Sequence, residues 1–297
     1  MPKRFEQAIK ALPPGIRSAA MELPETVRAH AEEIRLRAGQ AVTVVSETSR
    51  ELSVSASARD LQQTLENVSQ GSLHTVLDNL RHGFLPLPGG HRMGLCGTAV
   101  MKDGQVTLFR ELSSLCIRVA RERKGIAEKL MPQLLVRGQL AHTLILSPPG
   151  VGKTTLLRDL IRVVSNGNAC LPPARVSAAD ERGELAASIG GTPQLDVGRN
   201  TDVMTGVPKA DAAVMLLRGM SPQVLAMDEI TAPEDTGVIA SCLGCGVTVL
   251  STAHAAGIQD MIIRPVYRGL LGYFERVVVI SGTGASRKYE IQEVKAP

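Results

Sequence analysis

The chain has 297 residues, 44% hydrophobic but only 2% aromatic, with no Trp and a formal net charge of +4. That length favours two domains or one large α/β domain, with cores of Leu, Val, Ile, Ala and Met. Scarce rings and the lack of a Lys/Arg run argue against a nucleic-acid partner, and no apolar run nears the roughly 20 residues that span a bilayer.

The N-terminal stretch MPKRFEQAIKALPP has basic residues but neither an apolar core nor a small-residue cleavage site, which predicts a cytoplasmic protein. From about residue 29 to 120 the pattern is short strands and turns. Ile34 and Leu36, then Val42 and Val44, alternate around Ala38-Gly39-Gln40 and predict a hairpin. Leu61, Leu65 and Val68, followed by Leu73, Val76, Leu77 and Leu80, keep helical spacing with a break near Gly71-Ser72. Residues 93–100 and 105–108 read as a strand pair across Lys102-Asp103-Gly104. Consecutive hairpins with helices on one side predict a small α+β domain over residues 1–122.

After Arg121-Glu122-Arg123-Lys124-Gly125 the texture becomes strand, glycine-rich turn, helix, repeated. Apolar strands at 143–146, 224–227 and 247–250, with a helix over 153–164, predict a parallel sheet covered on both faces within residues 123–297. Five scattered cysteines fit a reducing compartment. Cys242 and Cys245 lack a second ligand pair nearby, so both are expected as small buried hydrophobes rather than half a zinc site.

Residues 144–160 read LILSPPGVGKTTLLRDL. The phosphate-loop rule G-x-x-x-x-G-K-[ST] is met except at its first position, Ser147. Pro148 and Pro149 restrict φ at two successive residues, so proline stiffness can hold the start of the loop where glycine is missing. Pro149, Gly150, Val151, Gly152, Lys153, Thr154 and Thr155 are therefore the candidate nucleotide-binding residues: backbone N–H groups turn inward, Lys153 reaches the outer phosphates, and the Thr154 hydroxyl can hold Mg²⁺. The following helix adds its positive end.

A second strand end, Met227-Asp228-Glu229, supplies carboxylates to the same sheet edge. Asp228 is the candidate Mg²⁺ anchor, and Glu229 the group that deprotonates the attacking water. Two more strand ends bring Asp180-Glu181 and Thr252-Ala253-His254. Glu181 is expected to position water, and His254 to sense the γ-phosphate of ATP.

The segments SPPGVGKTTLLRDLIR, ADERGELAAS, DVGRNTDVMTGVPKADAAVMLLRGMSPQVLAMDEI and GVTVLSTAH together resemble the stage III sporulation AA family. That family is a branch of the ATPase superfamily of type II secretion, type IV pili and type IV secretion. The resemblance implies a RecA-like P-loop nucleotide-binding domain preceded by the smaller α+β N-terminal domain. It also implies ATP and Mg²⁺ as ligands and a homo-oligomer, a hexamer, attached from the cytoplasm to membrane-embedded channel subunits between mother cell and forespore. Within that family, arginines of the N-terminal domain or of a neighbour complete the site; Arg92, Arg110 and Arg118 are the candidates by position, with Arg218 before the acidic strand end. Pilus and type II enzymes usually carry Gly where this chain has Asp228, and often a four-cysteine zinc module absent here. Both departures point to the sporulation branch. A nucleotide-gated scaffold with negligible turnover and a RecA-like nucleic-acid motor are the alternatives.

Overall fold

The computed structural model describes residues 2–69, 84–102, 105–231, 233–267, 269–282 and 284–294. The chain divides into two compact units, Met1–Arg121 with Ile189–Gln194, and Glu122–Ser188 with Leu195–Pro297.

In the first unit three short helices, α1 (Pro2–Ala8), α2 (Pro14–Met21) and α3 (Glu25–His30), precede the strands. Pro14 opens α2, where a missing N–H costs nothing. Strands β1 (Glu33–Arg37), β2 (Gln40–Val45), β3 (Ser49–Ala56), β4 (Phe84–Leu87), β5 (His91–Lys102) and β6 (Gln105–Arg118) form a wholly antiparallel sheet in the order β3-β2-β1-β6-β5-β4. The alternation read in the sequence sets its buried face: Ile34, Leu36, Val42 and Val44 pack with Phe5, Ile9 and Leu12. Helix α4 (Ala58–Ser69) starts with a reciprocal cap, the Ser57 N–H donating to Asp60 Oδ2 at 2.8 Å and the Asp60 N–H to Ser57 Oγ at 3.2 Å. Leu73 to Leu80 and the turn at Asp103-Gly104 lie outside the described residues. Strand β3 was not expected, because only Leu52 and Ala56 of its eight residues are buried and its alternation is faint.

The second unit is built on β7 (Thr143–Leu146), β8 (Val176–Asp180), β9 (Thr201–Thr205), β10 (Val224–Met227), β11 (Thr248–Ala253), β12 (Arg276–Ser281) and β13 (Lys288–Glu293). Their order is β9-β8-β10-β11-β7-β12-β13, parallel except for β13 against β12. Every residue of β7, β8 and β10 is buried, as expected for strands covered on both faces. Ile145 packs with Leu156, Leu160 and Val164 of α6 (Lys153–Asn166), while Leu144 and Leu146 pack on the opposite face with residues such as Ile239 of α8 (Pro233–Gly244). Two further helices, α5 (Ile126–Leu130) and α7 (Lys209–Met220), complete the elements used below.

Because β7, β8, β10 and β11 run parallel, their carboxyl ends share one edge. The register sets Leu146 beside Ala253, Met227 beside Ser251, and Ala179 beside Met227. The stretches starting at Ser147, Asp180, Asp228 and His254 therefore leave the sheet together. Cys242 is buried, but Cys245 lies past the end of α8 and is exposed, which corrects the expectation that both thiols are internal. Among the described residues no helix is long and apolar enough to cross a membrane.

Candidate nucleotide site

The loop between β7 and α6 turns on two glycines in the left-handed region, Gly150 at φ 76° and Gly152 at φ 114°. Ser147 is fully buried and its hydroxyl donates to the Pro148 carbonyl at 2.8 Å. Pro149 and Gly150 are exposed, whereas Val151 is buried in the core and anchors the loop. Thr155 lines a small hollow with Glu122, Arg123, Lys124 and Arg158.

Lys153 is buried, and its ammonium donates to the Ser147 carbonyl at 3.1 Å, the Pro148 carbonyl at 3.3 Å and His254 Nδ1 at 2.8 Å. All three ammonium donors are thus used within the protein. Burial holds this lysine below its ordinary pKa, against the opposing pull of Asp228 and Glu229. An ammonium can only donate, so His254 Nδ1 accepts and the imidazole is neutral with its proton on Nε2. Nε2 in turn donates to Glu229 Oε1 at 2.6 Å.

Glu229 has φ 57°, a conformation that strains a non-glycine residue. Its N–H donates to Thr252 Oγ1 at 2.8 Å, and the next N–H, of Ile230, donates to the Thr252 carbonyl at 2.8 Å. Thr252 Oγ1 donates onward to Asp228 Oδ1 at 2.6 Å, and Thr154 Oγ1 donates to Asp228 Oδ2 at 2.6 Å. One connected network therefore runs from the lysine to the glutamate and from the glutamate to the threonine of the loop. Burial raises the Asp228 carboxyl above its usual range, although the two threonine hydroxyls oppose the shift.

Glu181 lines a recess with Asp180, Arg182, Glu184, Lys209, Asp228 and Glu229. Its Oε2 accepts from the Lys209 backbone N–H at 3.2 Å and lies 3.3 Å from the Lys209 ammonium. The second unit therefore assembles Lys153, Thr154, Glu181, Asp228, Glu229 and His254 around one edge. Arg92, Arg110 and Arg118 belong to the first unit's sheet, where Arg92 and Arg118 are cross-strand neighbours; Arg92 stacks 4.5 Å over the Phe84 ring and Arg118 Nε lies 3.5 Å from Glu33. Arg218 is exposed in the last turn of α7.

Two arginines stand here that the sequence reading did not single out. Arg182 donates to Glu229 Oε2 at 2.5 Å, so both oxygens of that carboxylate are engaged. Arg158 is buried in α6 and donates from Nε to the Leu185 carbonyl at 2.5 Å and from a terminal nitrogen to the Glu184 carbonyl at 2.6 Å, which ties α6 to the turn after β8. Arg182 sits next to the Asp180-Glu181 pair, a signal that could have marked it. Arg158 reads as an ordinary helix arginine. The donor set suits Mg²⁺: a threonine hydroxyl and one carboxylate at hydrogen-bond distance leave the remaining positions to water and phosphate oxygens, as that ion prefers.

The sequence signature of the family described as sporulation stage III, protein AA, matches residues 3–293. The chain belongs to that family. Stage III sporulation protein AA of Bacillus subtilis (strain 168) is 38% identical over 267 residues, covering 90% of this chain and 87% of that protein. Among solved structures, the pilus retraction motor PilT with bound ADP is similar at a TM-score of 0.63 and 16% identity, covering 95% of this chain and 82% of that one. The Legionella pneumophila ATPase DotB is similar at 0.57 and 14%, covering 86% and 73%. At such identities the likeness to these two proteins is one of fold.

Proposed function

We propose that the chain is a Mg²⁺-dependent ATP hydrolase that energises or assembles a channel complex between mother cell and forespore during endospore formation. It acts as a homo-oligomer, a hexamer, held on the cytoplasmic side by membrane-embedded channel subunits. The network joining Lys153, His254, Glu229, Thr252, Asp228 and Thr154 carries the chemical half of this reading. Family membership and the secretion-motor fold support the biological half.

In this mechanism the phosphate chain replaces the Ser147 and Pro148 carbonyls and His254 as the partners of the Lys153 ammonium. Thr154 and Asp228 hold Mg²⁺, which supplies charge neutralisation at the phosphates. Glu229 Oε2 accepts the proton of the attacking water once Arg182 has left it, and His254 keeps Oε1 oriented. Loss of the Lys153 contact leaves His254 Nδ1 without its donor, so the histidine reports through the lysine whether the γ-phosphate is present. Glu181, paired with Lys209, positions water at the rim, and Arg92, Arg110, Arg118 and Arg218 are the candidates for an arginine that completes the site.

The engagement of both Glu229 oxygens also favours a second reading, a nucleotide-gated assembly protein with negligible turnover. ATP hydrolysis by the wild-type and Glu229→Gln chains at matched nucleotide occupancy separates the two. A general base contributes ~10²–10⁴-fold, so a loss within that range is expected. Equal rates would leave only the assembly role.

A further inference from the structure

Strand β12 runs beside β7 with Val279 opposite Leu146, and continues to Ser281. The turn that follows β12 is thereby carried over the phosphate loop. Gly282 has φ 71°, and a Cβ there would fall 2.6 Å from the Ser286 carbonyl oxygen. Glycine is what allows this turn to close, and the closed turn fixes the residue after it, Arg287.

The Arg287 guanidinium packs on the loop itself. A Cβ at Gly152 would lie 3.3 Å from Arg287 Cζ and 3.4 and 3.5 Å from its two terminal nitrogens. Among the described residues Arg287 makes no hydrogen bond and no ion pair, and its Nε is buried without an acceptor. A guanidinium carries five donors in a rigid fork and normally finds a carboxylate or carbonyl when its nitrogens are removed from water. Here it is placed against Gly152, directly before the 14-residue helix α6 whose N-terminus is positive. The carboxylates of the site are engaged elsewhere: Glu229 by Arg182 and His254, and Asp228 by Thr154 and Thr252.

A guanidinium without an anionic partner, set against a glycine-rich loop at the positive end of a helix, is completed by phosphate oxygens. We propose that Arg287 is a phosphate-binding residue of the nucleotide site, contacting the phosphate chain from the β12–β13 side. It is a second side-chain cation, delivered by the same subunit that supplies Lys153. The inference rests on the nucleotide-site reading above and adds the residue that seats the phosphates. A planar fork suits paired phosphate oxygens better than an ammonium does.

The test measures binding of ATP, and of inorganic tripolyphosphate as its competitor, to the full chain and to Arg287→Gln, Arg287→Lys and Lys153→Ala. Arg287→Gln is expected to weaken ATP and tripolyphosphate alike, by about tenfold, and to lower the salt dependence of binding by about one charge. Arg287→Lys should recover part of the loss, while nucleotide-free unfolding of both variants stays at the wild-type midpoint. Wild-type affinity in Arg287→Gln with binding lost in Lys153→Ala would overturn the role of Arg287 and leave the site standing. Wild-type affinity in both would overturn the site and the role together. A loss for ATP with unchanged tripolyphosphate competition would move the contact from the phosphates to the nucleoside and overturn the assignment.

Discussion

The turns after β8 and β10 leave neighbouring strands of one sheet, and each begins with a buried or nearly buried aspartate. Asp180 folds its own turn: Oδ1 accepts the N–H groups of Glu184 and Leu185 at 2.7 and 2.9 Å, and Oδ2 that of Ala186 at 2.9 Å. Among the described residues Asp228 accepts two side-chain hydroxyls, from Thr154 and Thr252, and no backbone N–H. An apolar strand ending in acid is the same sequence signature in both places. Backbone donors are locked by the fold, whereas hydroxyls rotate, so the first acid holds structure and the second stays available to an arriving cation.

The comparison breaks most readily at Asp180. Asp180→Ala leaves three N–H groups without their acceptor and is expected to cost about 3 kcal/mol in denaturant unfolding. Unchanged stability would erase the distinction between the two turns.

His91, in the first unit, shows a third solution for a buried polar group, which is to stay neutral. Its Nδ1 accepts the Ala120 N–H at 2.8 Å, and burial, with the nearby Arg4 charge adding to it, lowers its pKa from 6.5 to about 4. The unfolded chain then binds the extra proton between pH 6.5 and about 4, so stability is full above that window and falls as pH drops through it. The loss is at most about 3 kcal/mol. Unfolding midpoints at the two ends of the window measure it, and His91→Asn, which keeps an acceptor without the titration, should flatten the dependence.

Asp228→Asn sharpens the contrast from the other side. It removes a buried charge that only hydroxyls hold, and should stabilise the nucleotide-free protein by about 1 kcal/mol while abolishing Mg²⁺-dependent nucleotide binding. A loss of stability resembling that of Asp180→Ala would make Asp228 structural. The smallest effect is expected at Arg182, whose side chain is 64% exposed. An ion pair so open to water is worth about 0.5 kcal/mol, and Arg182→Gln should raise steady-state hydrolysis about twofold by freeing Glu229 Oε2.

The strand, loop and helix from Thr143 to Asn166 are legible in the sequence because local chemistry dictates them: a continuous apolar run, prolines, two glycines and a helical stripe. The alternation at Ile34, Leu36, Val42 and Val44 shows the first hairpin for the same reason. Strand β9 has no fully buried residue and β3 has two of eight, so neither carries a strong periodic signal. Within the site, acids and the histidine could be grouped because parallel strands bring their carboxyl ends to one edge. Their pairwise connections could not be read: Arg182 lies 47 positions from Glu229 and Lys153 101 from His254. Arg287 follows a turn whose closure depends on Gly282 packing against Ser286, a contact with no periodic trace.

The central claim is that the network around Lys153 is a resting arrangement that nucleotide opens. A crystal structure of the Glu229→Gln chain with ATP and Mg²⁺ tests it most directly. The account predicts that the Lys153 ammonium leaves the Ser147 and Pro148 carbonyls and His254 Nδ1 for phosphate oxygens, with Thr154 and Asp228 at the metal. ATP bound while those three lysine contacts persist, or bound away from residues 147–155, would contradict it.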